Sequence, residues 1–133
     1  MWRTILTSAV EGDQSIVFVA EREHSLVGFG ACGGQRDDQL RERGFGGEIR
    51  AIYVLQSQQR NGVGRQLMRV MAQALTVHGR TAASLWVISG NVRAPAFYEQ
   101  LGGELIGERI DDVEGTAVPE VAYGWKDLAR LAR

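Results

Sequence analysis

A chain of 133 residues is sized for one domain with a proper core, and its 44% hydrophobic and 23% charged content marks a globular protein rather than a disordered or fibrous one. A formal net charge of −1 gives no general attraction to nucleic acid or to a membrane surface, and no apolar run approaches membrane-spanning length. Cys32 is the only cysteine, which excludes an intrachain disulfide and fits a reducing cytoplasm; Met1-Trp2-Arg3-Thr4 does not begin a secretory signal.

In chain order, Trp2, Ile5, Leu6, Ala9 and Val10 repeat at helical spacing and predict a short amphipathic helix. Ser15–Ala20 and Leu26–Ala31 read as the two strands of a hairpin turning at Arg22-Glu23-His24-Ser25. Gly33 to Gly47 is glycine-rich and charged and reads as a loop, and Glu48–Leu55 is a strand dense in β-branched and aromatic residues. Val63, Leu67, Val70, Met71, Ala74 and Leu75 make one apolar stripe, so a helix runs from about Gly62 to His78 and stops at Gly79. A strand at Ala83–Ile88 and a helix at Val92–Leu101 follow. Glu104–Ile110 and Glu120–Trp125 then read as strands joined by an acidic loop, and Lys126 to Arg133 is weakly helical. The central β-α-β-α order predicts an α/β (α+β) fold, a mixed sheet with helices on its faces.

The densest chemical signal lies between that strand and that helix, at Gln59-Arg60-Asn61-Gly62-Val63-Gly64-Arg65. A strand, a glycine turn and a helix start make a site for a phosphate-bearing ligand, because free N–H groups and the positive end of the helix dipole meet there. The glycines remove side chains and let a ligand approach the backbone. A dinucleotide fingerprint needs a third glycine where this chain has Leu67, and a P-loop needs Gly-Lys-Ser/Thr where it has Gly64-Arg65-Gln66.

With Q-x-x-G-x-G after Ile52-Tyr53-Val54, and with Asn91 and Tyr98 at Asn-x6-Tyr spacing, the chain from about Ile16 to Trp125 resembles the GNAT superfamily of acetyl-CoA-dependent N-acetyltransferases. The resemblance implies a mixed, mostly antiparallel central sheet flanked by helices, acetyl-CoA as co-substrate, and a coenzyme site at Ile52, Tyr53, Val54, Gln59, Arg60, Asn61, Gly62, Val63, Gly64, Arg65 and Asn91. Backbone groups of residues 52–54 would hold the pantetheine arm like an added strand. The N–H groups of the glycine loop would hold the pyrophosphate, helped by the charges of Arg60 and Arg65. One departure concerns the N-terminus. The family carries a first strand and one or two helices before the hairpin, whereas one short helix is expected here before Ser15. Those elements form one wall of the acceptor pocket, so the chain begins late, is shortened, or has that wall closed by another subunit; family members are often dimers.

Acetyl transfer to an amine needs an unprotonated amine, a donor for the oxyanion and a proton for the leaving thiolate. The resemblance places Tyr98 beside the coenzyme sulfur as proton donor, against its plainer reading as a packing tyrosine. It makes Glu48, at the strand start, the carboxylate that takes the amine proton, against its reading as a solvated strand end. Some family members that acetylate protein N-termini carry a glutamate at the position of Trp86, so that substrate class is disfavoured. Cys32 has no activating neighbour in sequence, and His24 and His78 are too far apart and too isolated to predict a metal site. The expected function is acetylation of a small-molecule primary amine in a ternary complex. The alternatives are a non-catalytic acyl-CoA-binding module or a protein acetyltransferase. Gln35–Gly47 and Asp111, Asp112 and Glu114 are expected to border the acceptor, where the acids would attract a cationic amine or simply be solvated.

Overall fold

The computed structural model describes residues 3–7, 15–59, 62–90 and 93–133, the first of these segments by its backbone. The strands are β1 (Arg3–Thr7), β2 (Ile16–Arg22), β3 (Ser25–Gly34), β4 (Gly47–Val54), β5 (Ala83–Ile88), β6 (Glu104–Val113) and β7 (Thr116–Trp125). The helices are α1 (Asp38–Glu42), α2 (Val63–Val77) and α3 (Arg93–Gln100). The described strands form one sheet in the order β1-β2-β3-β4-β5-β7-β6. Every neighbouring pair is antiparallel except β4 with β5.

The expected N-terminal helix is corrected. Residues 3–7 form β1, paired to β2 from Arg3 opposite Glu21 to Thr7 opposite Val17. A strand therefore does precede the hairpin. Thr4, Ile5 and Thr7 are β-branched, and a full ladder against β2 outweighs a spacing pattern of five apolar residues. Trp2, Ala9 and Val10, which carried the rest of that pattern, lie outside the described residues.

The other elements follow the sequence more closely. The β2–β3 turn uses Glu23 and His24, both at positive φ, the two-residue geometry that suits strand twist. The expected loop at 33–47 is shorter than read, because β3 runs to Gly34 and Asp37 caps α1 by accepting from the Leu40 N–H. The acidic loop is mostly strand: β6 and β7 pair out to Val113 opposite Thr116 and turn on Glu114 and Gly115, again both at positive φ. The tail from 126 forms turns rather than a helix, and it buries Leu128 and Leu131.

Two apolar clusters cover the two faces of the sheet. On one face α2 buries Val63, Leu67, Met68, Met71, Ala72 and Leu75 against β2, β3 and β4, and Tyr98 of α3 joins the same cluster with Leu85, Tyr123 and Trp125. On the far face Leu40 and Phe45 pack with Ala82, Trp86 and Ile106. Leu67 is fully buried and lies in the middle of the α2 stripe. Leu67→Ala is expected to lower unfolding free energy by about 3 kcal/mol. Val77→Ala, at an 83% exposed position of the same helix, is expected to change it by less than about 0.5 kcal/mol; urea denaturation of both variants checks the contrast.

Candidate active site

The parallel pair β4–β5 makes the site by failing to continue. Only Gly47 with Ala83 and Glu48 with Ser84 are in register, and past them the two strands diverge to Val54 and Ile88. The edge of β4 that faces β5 therefore leaves the ladder after two residues, while its other edge stays paired with β3. A register shift between Ala31 and Cys32 makes Arg50 the extra residue of a β-bulge, which bends β4 at the point of divergence.

A buried side chain holds the apex. Gln35, 5% exposed, donates from Nε2 to the carbonyls of Phe45 at 3.2 Å and Gly47 at 3.1 Å and to the hydroxyl of Ser84 at 2.7 Å. Its Oε1 accepts from the Asp37 N–H at 3.2 Å. Gln35 thus ties β3, β4, β5 and the start of α1 together where the wedge closes. Sequence reasoning missed it, because a glutamine in a charged loop has no local signature of burial.

The opening is a cleft of about 300 Å³ lined by Ile49–Ile52, Leu85–Ile88, Ala94 and Tyr98. Tyr98 is 6% exposed, with Phe97, Tyr123 and Trp125 ring centroids 5.2, 5.9 and 6.1 Å away. Its hydroxyl bonds no other described residue, and burial pushes its pKa up to about 12. Tyr123, which lies 3.4 Å from Glu99 through its hydroxyl, is also raised, by burial first and then by the Glu99 charge and hydrogen bond.

Of the predicted site residues, the cleft brings Ile52 and Tyr98 together. Tyr53 points away, 53% exposed, with its ring stacked on Phe29 at 5.9 Å, and Val54 packs against the α2 cluster. Glu48 lies beside the lining. Its carboxylate accepts from Arg36 Nε at 2.7 Å and Nη2 at 3.3 Å, and Arg50 Nε stands 3.5 Å away. Arg50 in turn bonds the Gly34 carbonyl at 2.9 Å and the Ser15 hydroxyl.

The glycine loop ends in the helix start that the sequence indicated. Gly62 is the N-cap residue at φ +83°, a left-handed conformation that excludes most side chains, and no side chain caps the helix there. The N–H groups of Val63, Gly64 and Arg65 lie in the first turn, where a helix has no acceptors of its own. Val63 is 1% exposed and its side chain belongs to the core. A Cβ on Gly64 would stand 3.1 Å from the Phe97 ring, so this glycine admits α3. Gln59 donates to the Val54 carbonyl at 3.3 Å and folds the loop back on its strand. Arg60, Asn61 and Asn91 lie outside the described residues.

A second concavity, of about 530 Å³, opens from this helix start toward the chain end, lined by Arg65, Arg69, Glu99, Arg130 and Arg133 among others. Arg65 was foreseen. Arg69 sits one turn further on the same helix face and was legible by spacing; Arg130 and Arg133 reach the site only through the fold. Cys32 is fully buried and its thiol is pushed up to about 11 by burial, against the opposing charges of Arg50 and Arg80, which keeps it a thiol.

Comparison with known proteins places this splayed parallel pair and uncapped helix start in a known family. The profile of the acetyltransferase (GNAT) family matches residues 2–103, and the chain belongs to that family. It is 38% identical over 116 residues to an uncharacterized N-acetyltransferase of Bacillus subtilis, YuaI, covering 86% of this chain and 65% of that protein's length. Among solved structures, a Bacillus subtilis acetyltransferase in complex with CoA shares the fold at a TM-score of 0.70 and 14% identity, over 93% of this chain and 97% of that one. The acetyltransferase yncA of Salmonella typhimurium, solved with its cofactor acetyl-CoA, shares it at 0.66 and 19% identity, over 86% and 65% of the two chains. No described helix is long and apolar enough to cross a membrane.

The burial of Tyr98 carries a stability signature. Its folded pKa of about 12 stands above the unfolded value near 10, so the folded state resists ionisation. Its contribution is complete below pH 10 and is lost as pH rises through 12, a difference of roughly 2–3 kcal/mol. Urea unfolding at pH 9, 10 and 11 is expected to show stability falling over this window, with a shallower fall in Tyr98→Phe.

Proposed function

We propose that the protein transfers the acetyl group of acetyl-CoA to the primary amine of a small molecule by direct attack in a ternary complex. What supports this reading is Tyr98, which is buried, lines the β4–β5 cleft and makes no hydrogen bond through its hydroxyl to another described residue. Bound acetyl-CoA supplies a thioester, whose carbonyl carbon the amine nitrogen attacks as the C–S bond breaks.

The chain's own groups suit that ligand. The released edge of β4 at Ile52, Tyr53 and Val54 offers backbone donors and acceptors to an extended amide chain, as a strand of the sheet would. The N–H groups of Val63, Gly64 and Arg65 and the helix dipole suit a pyrophosphate, and Arg65, with Arg69 beside it, extends positive charge past the loop. A coenzyme-A-dependent reaction and a single buried thiol both fit a cytoplasmic location.

Tyr98 is assigned the proton for the leaving sulfur. At neutral pH it carries that proton, and its raised pKa does not disqualify it. The burial that raises the phenol acts on a thiolate leaving into the same wedge, and Cys32 shows a thiol in this core pushed up to about 11. Glu48 is assigned the amine proton through a water. A carboxylate has about four lone-pair sites, and the hydrogen bonds from Arg36 use two, so an acceptor remains for water.

Acetyl-CoA at 100 times its dissociation constant is expected to stabilise the fold by about 2.7 kcal/mol, read as a rise in Tm that AMP does not reproduce. No rise in folded protein sinks the coenzyme reading. Tyr98→Phe is expected to lower kcat on the order of 100-fold with KM for acetyl-CoA nearly unchanged, and Glu48→Gln to lower kcat by a similar order. Unchanged turnover in either variant removes that residue from its role. Binding without thiol release across an amine panel would favour a non-catalytic acyl-CoA module instead.

A further inference from the structure

We infer that the acceptor amine also carries a carboxylate, and that Arg109 is the residue that recognises it; this rests on the amine-acetylation reading above. The acceptor is placed on the face of the sheet opposite α2 and α3, because Trp86 lines the cleft from that face and Glu48, the proposed base, leaves on it; the same face carries two ion pairs. Arg36 pairs with Glu48 at the apex, and Arg109 with Glu120 on the β5–β7–β6 arm, at 2.7 and 2.8 Å. In both pairs the carboxylate is the covered partner and the guanidinium the open one: side-chain exposure is 59% against 8% in the first and 40% against 14% in the second. A molecule approaching this face therefore meets guanidinium edges.

Arg109 is the better placed of the two. Arg36 spends Nε and Nη2 on Glu48. Arg109 spends only Nε, on Glu120, and its terminal nitrogens bond no other described residue. Its guanidinium lies 4.0 Å from the centroid of the Trp86 ring, and Trp86 lines the cleft. Glu120 stands opposite Ile88, another lining residue. The stack fixes the plane and the Glu120 bond fixes the rotation, so the outer edge is a preorganised fork of the kind that takes a carboxylate bidentately. The acids at the β6–β7 tip limit how far the anion can sit from the amine. Asp111 follows two residues along the same face, roughly 7 Å away at about 3.4 Å per residue, so the fork accepts a short amino acid and the tip repels a longer one.

The test uses thiol release from acetyl-CoA with matched pairs, an ω-amino acid of three to five carbons against the alkylamine and the diamine of equal length. The expected result is a kcat/KM about tenfold or more higher for the amino acid, carried by KM. Arg109→Gln is expected to bring the ratio of acid to alkylamine toward 1, and Arg109→Lys to restore part of it. A ratio near 1 in the wild type, a preference for the diamine, or a ratio that Arg109→Gln leaves intact overturns the assignment. Acetyl-CoA thermal shifts run beside the panel separate the two readings: stabilisation without carboxylate preference sinks this inference alone, and no stabilisation sinks the coenzyme site beneath it.

Discussion

The architecture of the site depends on one parallel strand pair that stops after two residues. Parallel pairing is closed at Gly47–Ala83 and Glu48–Ser84, and nothing in the backbone alone prevents it from zipping further or opening entirely. Gln35 sets the limit. Its buried amide binds carbonyls on the β4 side and a hydroxyl on the β5 side, all within 3.2 Å, and leaving such acceptors unmet in the core costs about 1–3 kcal/mol each. The apex is fixed, so the bulge at Arg50 can turn the rest of β4 away. A sheet that would otherwise be continuous then contains a slot deep enough for Tyr98 to line.

The charged groups at the apex follow from the same bend. Glu48 and Arg50 lie two residues apart on β4, on either side of buried Ile49, so both side chains leave on the far face. Arg50 is anchored on the Gly34 carbonyl, and Arg36 reaches Glu48 from the loop that Gln35 holds down. One glutamine therefore positions the wedge and, through its neighbour, the carboxylate beside it. A covered carboxylate under an exposed guanidinium recurs at Glu120 and Arg109, so in both pairs the guanidinium is the outer partner.

How much of this was legible depends on the range of the interaction. The α2 stripe, the glycine helix start and the Asn91–Tyr98 spacing are local patterns, and α2 and α3 were placed from them to within a residue at each end. The N-terminal helix was misread because five apolar residues at helical spacing say nothing of the free edge of β2, which decides residues 3–7. Gln35 and Ser84 are 49 positions apart and carry no pattern. Arg109 over Trp86 depends on the β5–β7–β6 register, and the sequence reading ended β6 at Ile110 without assigning it a partner. The tip acids drew attention instead, because a run of like charges is visible in sequence and an exposure asymmetry is not.

The glycine loop shows why a motif and a packing requirement need not compete. A Cβ on Gly64 would stand 3.1 Å from Phe97, so a glycine of the motif at the helix start also seats α3 against α2. Phe97 is the neighbour of Tyr98, and the two rings are in edge contact at 5.2 Å. A side chain at 64 would push on Phe97 and hence on the helix that aims the proposed proton donor into the wedge. The proposed anion-binding end and the proposed acid are thus joined by two consecutive aromatic residues. A substitution in the loop is expected to reach chemistry as well as affinity, even though α2 and the cleft share no side chain.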